Sequence, residues 1–343
     1  MSVVELDRPL RPDSLASVFQ RVQDTVVPGL RAAVERLPQP LRDVVGYHIG
    51  WCDDAGRPAV MRPGKLLRPT LSLLSAQAVG GPAEWGVPCA VAVELVHNSG
   101  LLHDDVIDGA LTRRDRPTVW WRFGMPTAIL AGDALVPLAV EVLAVAPVSV
   151  TILCETLREL AYGQALDVSF ELREDVTLDE CLAMAARKTA TLLGCACQLG
   201  AVHGGGTAAQ IRELQRFGWH LGLAFQLVDD LLGIWGDPHT TGKPVLADLR
   251  AGKKTIPVVA ALAGRDALAR RLAELYLRAE PLDEHELSTV AELIERAGGR
   301  AWAHAEAARQ VRTALAALDR AGIDPVVYPA LVGLADLVQH RDR

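Results

Sequence analysis

The residues best suited to chemistry are three aspartates that follow an apolar stretch, Asp104, Asp105 and Asp108. Asp104 and Asp108 are four residues apart, so on a helix they lie one turn apart on the same face. Residues 84–108 are apolar on almost every side, which predicts a helix buried in the protein. Desolvated carboxylates need a counter-charge, and a magnesium ion bound through oxygen supplies one. The alternative is an acidic patch at the surface.

Two arginines, Arg113 and Arg114, follow this acidic group closely. Guanidinium groups bind phosphate oxygens through paired hydrogen bonds. Carboxylates followed by paired arginines therefore favour a site that handles a metal ion and phosphate together over a plain acidic surface.

A second pair of carboxylates, Asp229 and Asp230, ends another apolar helix that we predict over 208–234. A long polar loop follows and contains Lys243 and Lys253. This loop lacks the spacing of a P-loop, and its alternative interpretation is a solvated segment rich in Lys and Gly. Two buried helices that both end in aspartates and lead into basic stretches predict one cavity with acidic walls facing each other.

Further polar residues stand in apolar helical stretches and could complete such a cavity. They are Lys65, Arg68, His97, Gln164, Asp167, Lys188 and Thr189. Lys65 and Arg68 are three apart at a predicted helix start, where backbone N–H groups also favour an anion. A single residue of this kind more often lies at the surface, or in the core with its hydrogen bonds made by neighbouring groups. It is the number of these residues that favours a binding cavity.

The elements that must position these residues are predicted to be helices. Half of the 343 residues are hydrophobic and only 5% are aromatic, while Ala, Leu, Arg and Glu recur at helical spacing. The predicted helices cover residues 14–35, 65–79, 84–108, 126–144, 148–172, 178–200, 208–234, 257–263, 267–279, 284–297, 301–321 and 325–338. No break resembles an interdomain linker. We therefore predict a single all-α domain over residues 1–343, a large helical bundle.

Composition excludes several classes of protein. A net charge of -7 without a basic stripe argues against nucleic-acid binding. The six cysteines form no CxxC pair, so a zinc site is not expected. The first residues lack the layout of a signal peptide, and Glu141 and Pro147 interrupt the most apolar region, which argues against stable membrane insertion. We expect a cytoplasmic protein.

The motifs, taken in order along the chain, resemble those of the trans-isoprenyl diphosphate synthases, the polyprenyl synthetase family. The first aspartate-rich motif of that family resembles residues 104–108, followed by its arginine pair, and the second resembles residues 225–230. Counterparts of its GKxxRP, GQxxD and KT motifs stand at 64–69, 163–167 and 188–189. Its downstream GK…D…GKK motif resembles Gly242, Lys243, Asp248 and Lys253. The resemblance extends from about residue 64 to residue 257.

The resemblance implies antiparallel helices around a deep central cavity, a homodimer, and head-to-tail condensation of isopentenyl diphosphate with an allylic diphosphate. It implies that Asp104, Asp108 and Asp229 bind three magnesium ions on the allylic diphosphate, with Asp105, Asp167 and Asp230 as further metal ligands. The same diphosphate would contact Arg113, Lys188 and Lys243. The diphosphate of the isopentenyl substrate would contact Lys65, Arg68, His97 and Arg114. Gln226 and Thr189 would face the developing cation, and Gln164 and Lys253 would also bind substrate.

Two departures from the family pattern concern the acidic and basic motifs. The second acidic motif ends in Gly233, where the family usually has a third aspartate one turn beyond Asp229. Its absence should weaken or rearrange the water network around one metal ion, and Asp237 could partly substitute. The GKxxRP counterpart has Leu66 where many members carry arginine.

Product length depends on the residues that precede Asp104. Gly100 and Ser99 lie about 6 to 7.5 Å up the helix from Asp104. Both are small, and Val96, further along the same face, is modest in size. In the family, short-chain enzymes carry aromatics close to the aspartates, so the resemblance implies geranylgeranyl diphosphate (C20) as product, with longer products as the alternative. A facing helix over 135–143 is the alternative floor of the tail pocket.

Two other functions stay open at this point. A class I terpene cyclase uses the same metal-triggered ionisation, and Gly233 keeps that alternative alive. A cyclase does not need a second diphosphate site, so the presence of residues suited to a second diphosphate favours a condensing enzyme. A non-catalytic regulatory subunit of a prenyl synthase would not need both acidic motifs intact.

Overall fold

The structure is a computed structural model that describes residues 15–59, 66–237, 245–278 and 280–341. Its helices are α1 (Leu15–Val34), α2 (Leu41–Ile49), α3 (Leu67–Ala78), α4 (Val87–Ile107), α5 (Val119–Phe123), α6 (Met125–Leu143), α7 (Pro147–Glu171), α8 (Leu178–Ala185), α9 (Thr191–His203), α10 (Ala208–Trp235), α11 (Ala247–Arg250), α12 (Ile256–Leu262), α13 (Ala267–Tyr276), α14 (Glu284–Arg296), α15 (Gly299–Ala321) and α16 (Tyr328–Gln339). A hairpin of two short strands, β1 (Thr112–Arg113) and β2 (Arg116–Pro117), joins α4 to α5. The predicted all-α fold is confirmed.

Helix α4 forms the centre of the molecule and carries the first acidic motif at its end. Its residues from Cys89 to Val96 are all buried, because α1, α3, α6 and α9 pack around it. Leu95 and Leu102 are fully buried, and each such side chain contributes about 1.5–3 kcal/mol through removal from water. A helix anchored along its whole length holds the aspartates of its last turn in a fixed position.

Helices α8 and α9 are joined by a π-helical turn, Ala186–Ala190. The predicted capping box opens α8, since the Thr177 hydroxyl accepts from the Glu180 backbone N–H and the Glu180 side chain accepts from the Thr177 N–H. Lys188 and Thr189 both lie in the π turn. Such turns insert one extra residue into a helix and often occur at functional sites.

Helix α10 carries the second acidic motif. Thr207 caps its start in a capping box with Gln210, and the helix then packs along α9 and α15. Its buried residues continue to Ile234. The turn that carries Asp229 and Asp230 is therefore packed against the core through its apolar side chains.

The predicted helices agree with the observed ones to within a few residues, apart from short elements. Helices α2 and α5 and the hairpin were not predicted, and α11 lies in a stretch that we predicted to be loop throughout. Among the described residues, one helix, α6, is long and apolar enough by composition to span a membrane, with a mean hydropathy of 1.6. Its buried face, including Ala128, Leu135 and Ala139, packs against α4, as in the core of a helical protein.

Candidate active site

One cavity of about 870 Å³ brings together nearly all the predicted site residues. It lies between α4, α6, α7, the π turn and α10. The predicted residues that line it are Arg68, Val96, His97, Ser99, Gly100, Asp104, Asp108, Arg113, Gln164, Asp167, Lys188, Thr189, Gln226, Asp229, Asp230 and Lys253. Asp105 and Arg114 line a small neighbouring pocket instead. Lys65 and Lys243 lie outside the described residues.

The end of α4 forms the first acidic wall of the cavity. Asp104 is in the last turn and Asp108 caps the helix, where the helix dipole adds further negative potential. Lys253 donates from Nζ to Oδ2 of Asp108 at 2.7 Å, and Lys188 donates from Nζ to Oδ2 of Asp167 at 2.5 Å. Cations from two other parts of the chain therefore balance this wall.

Burial and charge act against each other on this wall. Burial raises the pKa of Asp104, while the ammonium of Lys188 lowers it and the carboxylate of Asp108 raises it further. Burial lowers the pKa of Lys188, but Asp104 and Asp167 reverse this effect and leave it above its ordinary value. The ionised carboxylates thus hold the lysine charged, ready to contact an anion.

Close packing of α7 places Asp167 beside Lys188. A side-chain carbon at Gly163 would lie 2.5 Å from the backbone nitrogen of Lys188, so only glycine allows the two helices to approach this far. Gln164, next in the chain, also lines the cavity, and its Nε2 is buried without a hydrogen-bond partner among the described residues. The GQxxD pattern therefore combines close helix packing with polar groups at the cavity wall.

The arginine pair lies on the β1–β2 hairpin. Arg114 and Asp115 form its two-residue turn with φ values of 52° and 60°, a left-handed conformation that non-glycine residues seldom adopt. Arg113 contacts Oδ1 of Asp105 at 2.7 Å, and Asp105 is only 2% exposed. Asp105 lines the small neighbouring pocket and pairs with Arg113 through Oδ1, and its role as a metal ligand stays a prediction.

Asp229 on α10 belongs to the second acidic wall. Arg341, near the end of the chain, places its guanidinium 4.2 Å from the ring centre of Phe225 and its Nη1 3.7 Å from Oδ1 of Asp229. Sequence analysis missed Arg341, because it belongs to no motif and only the fold brings α16 beside α10.

Asp230 has a structural role that its neighbour lacks. Its Oδ1 accepts from Nε2 of Gln226 at 2.7 Å, and its Oδ2 accepts from the Ile256 backbone N–H at 2.9 Å. The Gln226 carbonyl in turn accepts from the Thr189 hydroxyl at 2.6 Å. These contacts orient Gln226, which faces the cavity with Thr189. Asp230 also lines the cavity, and its role as a metal ligand stays a prediction.

Arg68 and His97 form a separate corner of the cavity, in which Arg68 carries the positive charge and His97 is a neutral imidazole. Burial lowers the pKa of both side chains, and the nearby Glu94 carboxylate partly offsets this effect on Arg68. Nε of Arg68 is buried and has no hydrogen-bond partner among the described residues. Sequence analysis missed Glu94, because a single acid inside an apolar helix belongs to none of the motifs. The Asn98 side chain, one turn further along α4, donates to its carboxylate at 3.3 Å.

The apolar part of the cavity follows α4 away from the aspartates. Val96, about 12 Å from Asp104 along the helix axis, still lines it. A side-chain carbon at Gly100 would meet nothing within 4 Å, so this position faces open space. The opposite wall consists of Ile129 and Val136 from α6 and Leu157 and Leu160 from α7. Helix α6 therefore faces the tail pocket. This is the position expected of the helix over 135–143 that we gave as the alternative floor of that pocket.

The carboxylates fit a metal ion only together with a bound phosphate. Within the described ranges, no three His, Cys, Asp or Glu side chains lie close enough to hold a metal by themselves. Magnesium characteristically binds through one or two carboxylates, with waters and phosphate oxygens completing its shell. Asp104, Asp108 and Asp229 are hard oxygen donors that face one cavity, which suits that mode of binding.

Relatives of known identity share most of this chain. The model of the polyprenyl synthetase family matches residues 50–294. The chain is 44% identical to the (2E,6E)-farnesyl diphosphate synthase of Mycobacterium tuberculosis over 347 residues, covering 97% of each chain. It is 42% identical to the geranylgeranyl diphosphate synthase of the same species over 332 residues, covering 95% of this chain and 94% of the other.

Solved structures agree with the sequence matches. A polyprenyl synthetase from Streptomyces coelicolor A3(2) has a TM-score of 0.90 at 47% identity, covering 95% of this chain and 99% of the other. A polyprenyl synthase from Caulobacter crescentus CB15, complexed with calcium and isoprenyl diphosphate, has a TM-score of 0.83 at 28% identity, covering 98% and 100%. On its motifs, its fold and these matches, the chain belongs to the polyprenyl synthetase family.

Proposed function

We propose that the protein is a trans-prenyltransferase that condenses isopentenyl diphosphate head-to-tail with an allylic diphosphate and releases geranylgeranyl diphosphate. The observation that carries this proposal is the division of one cavity into three parts. Acidic walls with lysines suit a metal-bound diphosphate, the Arg68–His97 corner suits a second diphosphate, and an apolar pocket suits a hydrocarbon tail. The second cationic corner favours condensation over a cyclase reaction, which needs one diphosphate.

Each group of residues has a role in this reaction. Magnesium ions, of which we propose three, would neutralise the negative charge that builds up on the departing diphosphate. Lys188 and Lys253 lie where they can contact that anion, and carboxylates hold both in place. Thr189 and Gln226 line the cavity and are hydrogen-bonded to each other. Their oxygens would face the allylic carbon as its C–O bond breaks, and these dipoles would stabilise positive charge.

The isopentenyl substrate would be held so that its double bond meets the allylic carbon. Arg68 and His97 would bind its diphosphate, and holding both substrates in one cavity replaces a bimolecular encounter with a positioned one. The apolar lining excludes water from the cation. The proton lost at the end can pass to the released diphosphate, so no histidine base is required.

The product length rests on the tail pocket. Relatives named for a C15 and for a C20 product match this chain almost equally well. Gly100 and Ser99 leave the pocket open beside the aspartates, and the cavity continues to Val96. These small residues support a C20 product.

A cytoplasmic homodimer completes the proposal. Helices α6 and α7 expose apolar side chains that a second copy would cover. They include Met125, Leu130, Val148 and Tyr162, each at least 50% exposed. Exposed large apolar side chains are what a partner surface would bury.

The test is a product assay with magnesium, isopentenyl diphosphate and, separately, dimethylallyl, geranyl and farnesyl diphosphates. We expect a C20 alcohol after phosphatase treatment, formed only with isopentenyl diphosphate. A hydrocarbon formed without isopentenyl diphosphate would identify a cyclase, and binding without turnover would identify a regulatory subunit.

A matched pair of variants tests the tail pocket in the same assay. Gly100→Phe should shift the product to C15 or shorter, because its ring enters the open space beside the aspartates. Val96→Phe, one turn further along α4, should allow a longer product than Gly100→Phe. Identical products from both variants and the parent would place the floor elsewhere.

A further inference from the structure

Behind the first acidic wall, two buried polar atoms belong to residues that line one small pocket. The pocket has a volume of about 20 Å³ and lies between α2, the end of α4 and the β1–β2 hairpin. Nε2 of His48 and Oδ2 of Asp105 are both buried and have no hydrogen-bond partner among the described residues. Leaving a buried polar atom unpaired is costly, so each of these atoms requires a partner.

The hydrogen bonds of Asn98 determine which ring nitrogen of His48 carries the proton. The Asn98 amide nitrogen donates to the Glu94 backbone carbonyl at 2.8 Å and to the Glu94 carboxylate at 3.3 Å, which uses both of its hydrogens. The side chains of Asn98 and His48 are also hydrogen-bonded to each other. Only the amide oxygen of Asn98 remains for this bond, so a ring N–H of His48 must donate to it. Because Nε2 is unpaired, the donor is Nδ1.

The two unpaired atoms are therefore both hydrogen-bond acceptors. With its proton on Nδ1, the neutral His48 ring offers only a lone pair at Nε2. Burial, Arg114 and Arg113 all lower the pKa of His48, which keeps the ring neutral. The Asp105 carboxylate pairs with Arg113 through Oδ1 at 2.7 Å and likewise only accepts. Two acceptors cannot satisfy each other, so a group with two donor hydrogens has to lie between them.

A water molecule fits this position in size and in chemistry. A buried water needs a cavity of about 10–15 Å³ and two to four polar partners. Its two hydrogens can donate to Nε2 of His48 and Oδ2 of Asp105, and the guanidinium of Arg114 in the same pocket can donate to its oxygen. A cation there would be repelled by the arginines of the pocket, and an anion by the carboxylate and the nitrogen lone pair.

We infer that a buried water joins His48 to Asp105 and that His48 is thereby a positioning residue for Arg113. The water completes a polar chain behind α4, in which His48 is held by Asn98 on one side and holds Asp105 on the other. Asp105 in turn holds Arg113, which lines the large cavity as well as the small pocket. Without the water, Asp105 would lose the contact that fixes its orientation, and Arg113 would lose a fixed partner.

The same chain also reaches the other diphosphate site of the proposed function, on which this inference rests. The carboxylate of Glu94, where the chain begins, acts on both Arg68 and Arg114 and raises the pKa of each against the effect of burial. Arg68 belongs to the corner that we assign to isopentenyl diphosphate. One run of buried polar groups therefore supports the arginines of both diphosphate sites.

A crystal structure of the parent protein tests the water directly. One ordered water should lie within about 3.2 Å of both Nε2 of His48 and Oδ2 of Asp105. A direct hydrogen bond between the two side chains, or no electron density between them, would overturn the inference.

Three replacements of His48 separate the water bridge from packing. The amide of His48→Gln reaches the place of Nε2, the amide of His48→Asn reaches only the place of Nδ1, and His48→Leu fills the space without polar atoms. Binding of inorganic pyrophosphate in the presence of magnesium is measured by calorimetry at pH 7.5. His48→Gln should bind within about threefold of the parent, whereas His48→Asn and His48→Leu should bind about 10-fold more weakly.

Two further variants locate the effect. In an Arg113→Gln background, His48→Asn should weaken pyrophosphate binding by less than about twofold, because the chain then has no arginine to hold. His203→Asn is the matched control, since His203 is bonded to Ser149 and lines neither the small pocket nor the large cavity. It should bind pyrophosphate like the parent.

The results against the inference are equally specific. Parent-like binding in His48→Asn, or equal weakening in His48→Gln and His48→Asn, would overturn it, because the second result would reflect packing alone. If His48→Leu fails to fold, the other two variants still decide. Absence of pyrophosphate binding in the parent would overturn the role in positioning Arg113. Failure of prenyl transfer with the expected pattern of pyrophosphate binding would count against the proposed function alone.

Discussion

The two acidic walls of the cavity are built differently. At the end of α4, Asp108 is paired with Lys253 at 2.7 Å, and Lys188 lies beside Asp104, so cations from other elements balance the charge. At the end of α10, Asp229 is paired more loosely, with Arg341 at 3.7 Å. The first wall is therefore organised by ion pairs before any ligand binds. The second wall depends on shape, because a side-chain carbon at Gly233 would lie 1.8 Å from Oδ2 of Asp248, which fills that space.

This difference indicates how the walls would respond to a bound metal diphosphate. Ion pairs on the first wall can exchange a carboxylate for a phosphate oxygen, which keeps each lysine paired throughout. At the second wall, the pairing recorded for Asp229 among the described residues is the loose one with Arg341, and α11 packs on α10 beside it. Variants that remove a lysine should therefore damage the first wall most, and variants that add volume should damage the second.

The largest effect is expected when a carboxylate that faces the cavity is removed. Asp104→Asn and Asp229→Asn should each lower kcat/KM by about 10³-fold or more, because metal binding supplies several kcal/mol of charge stabilisation. Asp105→Asn is the comparison, and we expect a smaller loss of about 10–100-fold, since Asp105 acts through Arg113. Steady-state kinetics with circular dichroism to confirm folding checks this. A larger loss in Asp105→Asn than in Asp104→Asn would reverse our assignment of the two residues.

A medium effect is expected when the bridge between the walls is removed. Lys253→Met keeps the length of the side chain but cannot bond to Asp108, so kcat should fall about 10–100-fold as a charge-assisted contact to the leaving group is lost. Lys254→Met is the matched control, because the Lys254 ammonium donates to the backbone carbonyl of Glu171. Its kcat should stay within about threefold of the parent. Equal losses in the two variants would mean that only the general positive charge of this segment matters.

The first wall was also the easier one to predict. Asp104 and Asp108 are close in sequence and their helix is apolar on every side, so local periodicity places both carboxylates. Contacts across the chain, such as Lys253 with Asp108, are invisible to periodicity because they depend on where the fold places the segment between α11 and α12 relative to the end of α4. The hairpin turn at Arg114 also escaped prediction, since it lacks the glycine or asparagine that usually marks such a turn. The π turn at Lys188 escaped because it lies inside a stretch, 178–200, whose pattern predicts one continuous helix.

The smallest effect concerns the support behind the first wall. His48 lines the small pocket that also contains Asp105, Arg113 and Arg114, and burial, with help from both arginines, lowers its pKa to about 3. In the unfolded chain a histidine titrates near 6.5. Between these values the unfolded state binds a proton that the folded state does not. The free energy of unfolding should therefore rise with pH through this window, and this contribution is complete above about pH 6.5.

Replacing His48 by glutamine should flatten that dependence. Urea unfolding of the parent and of His48→Gln at pH 7.5 gives the difference in the free energy of unfolding that altered packing causes. Repeating the measurement at pH 6.0, 5.5 and 5.0 gives the change in this free energy with pH for each protein. One histidine that stays neutral on folding contributes at most about 1.4 kcal/mol per pH unit. The variant should lose correspondingly less stability as the pH falls. Some pH dependence should remain in it, because His97 is also buried and its pKa is also lowered. Parallel curves would show that His48 is charged in the folded state, and the two arginines would then need a closer anion than Asp105 to tolerate it.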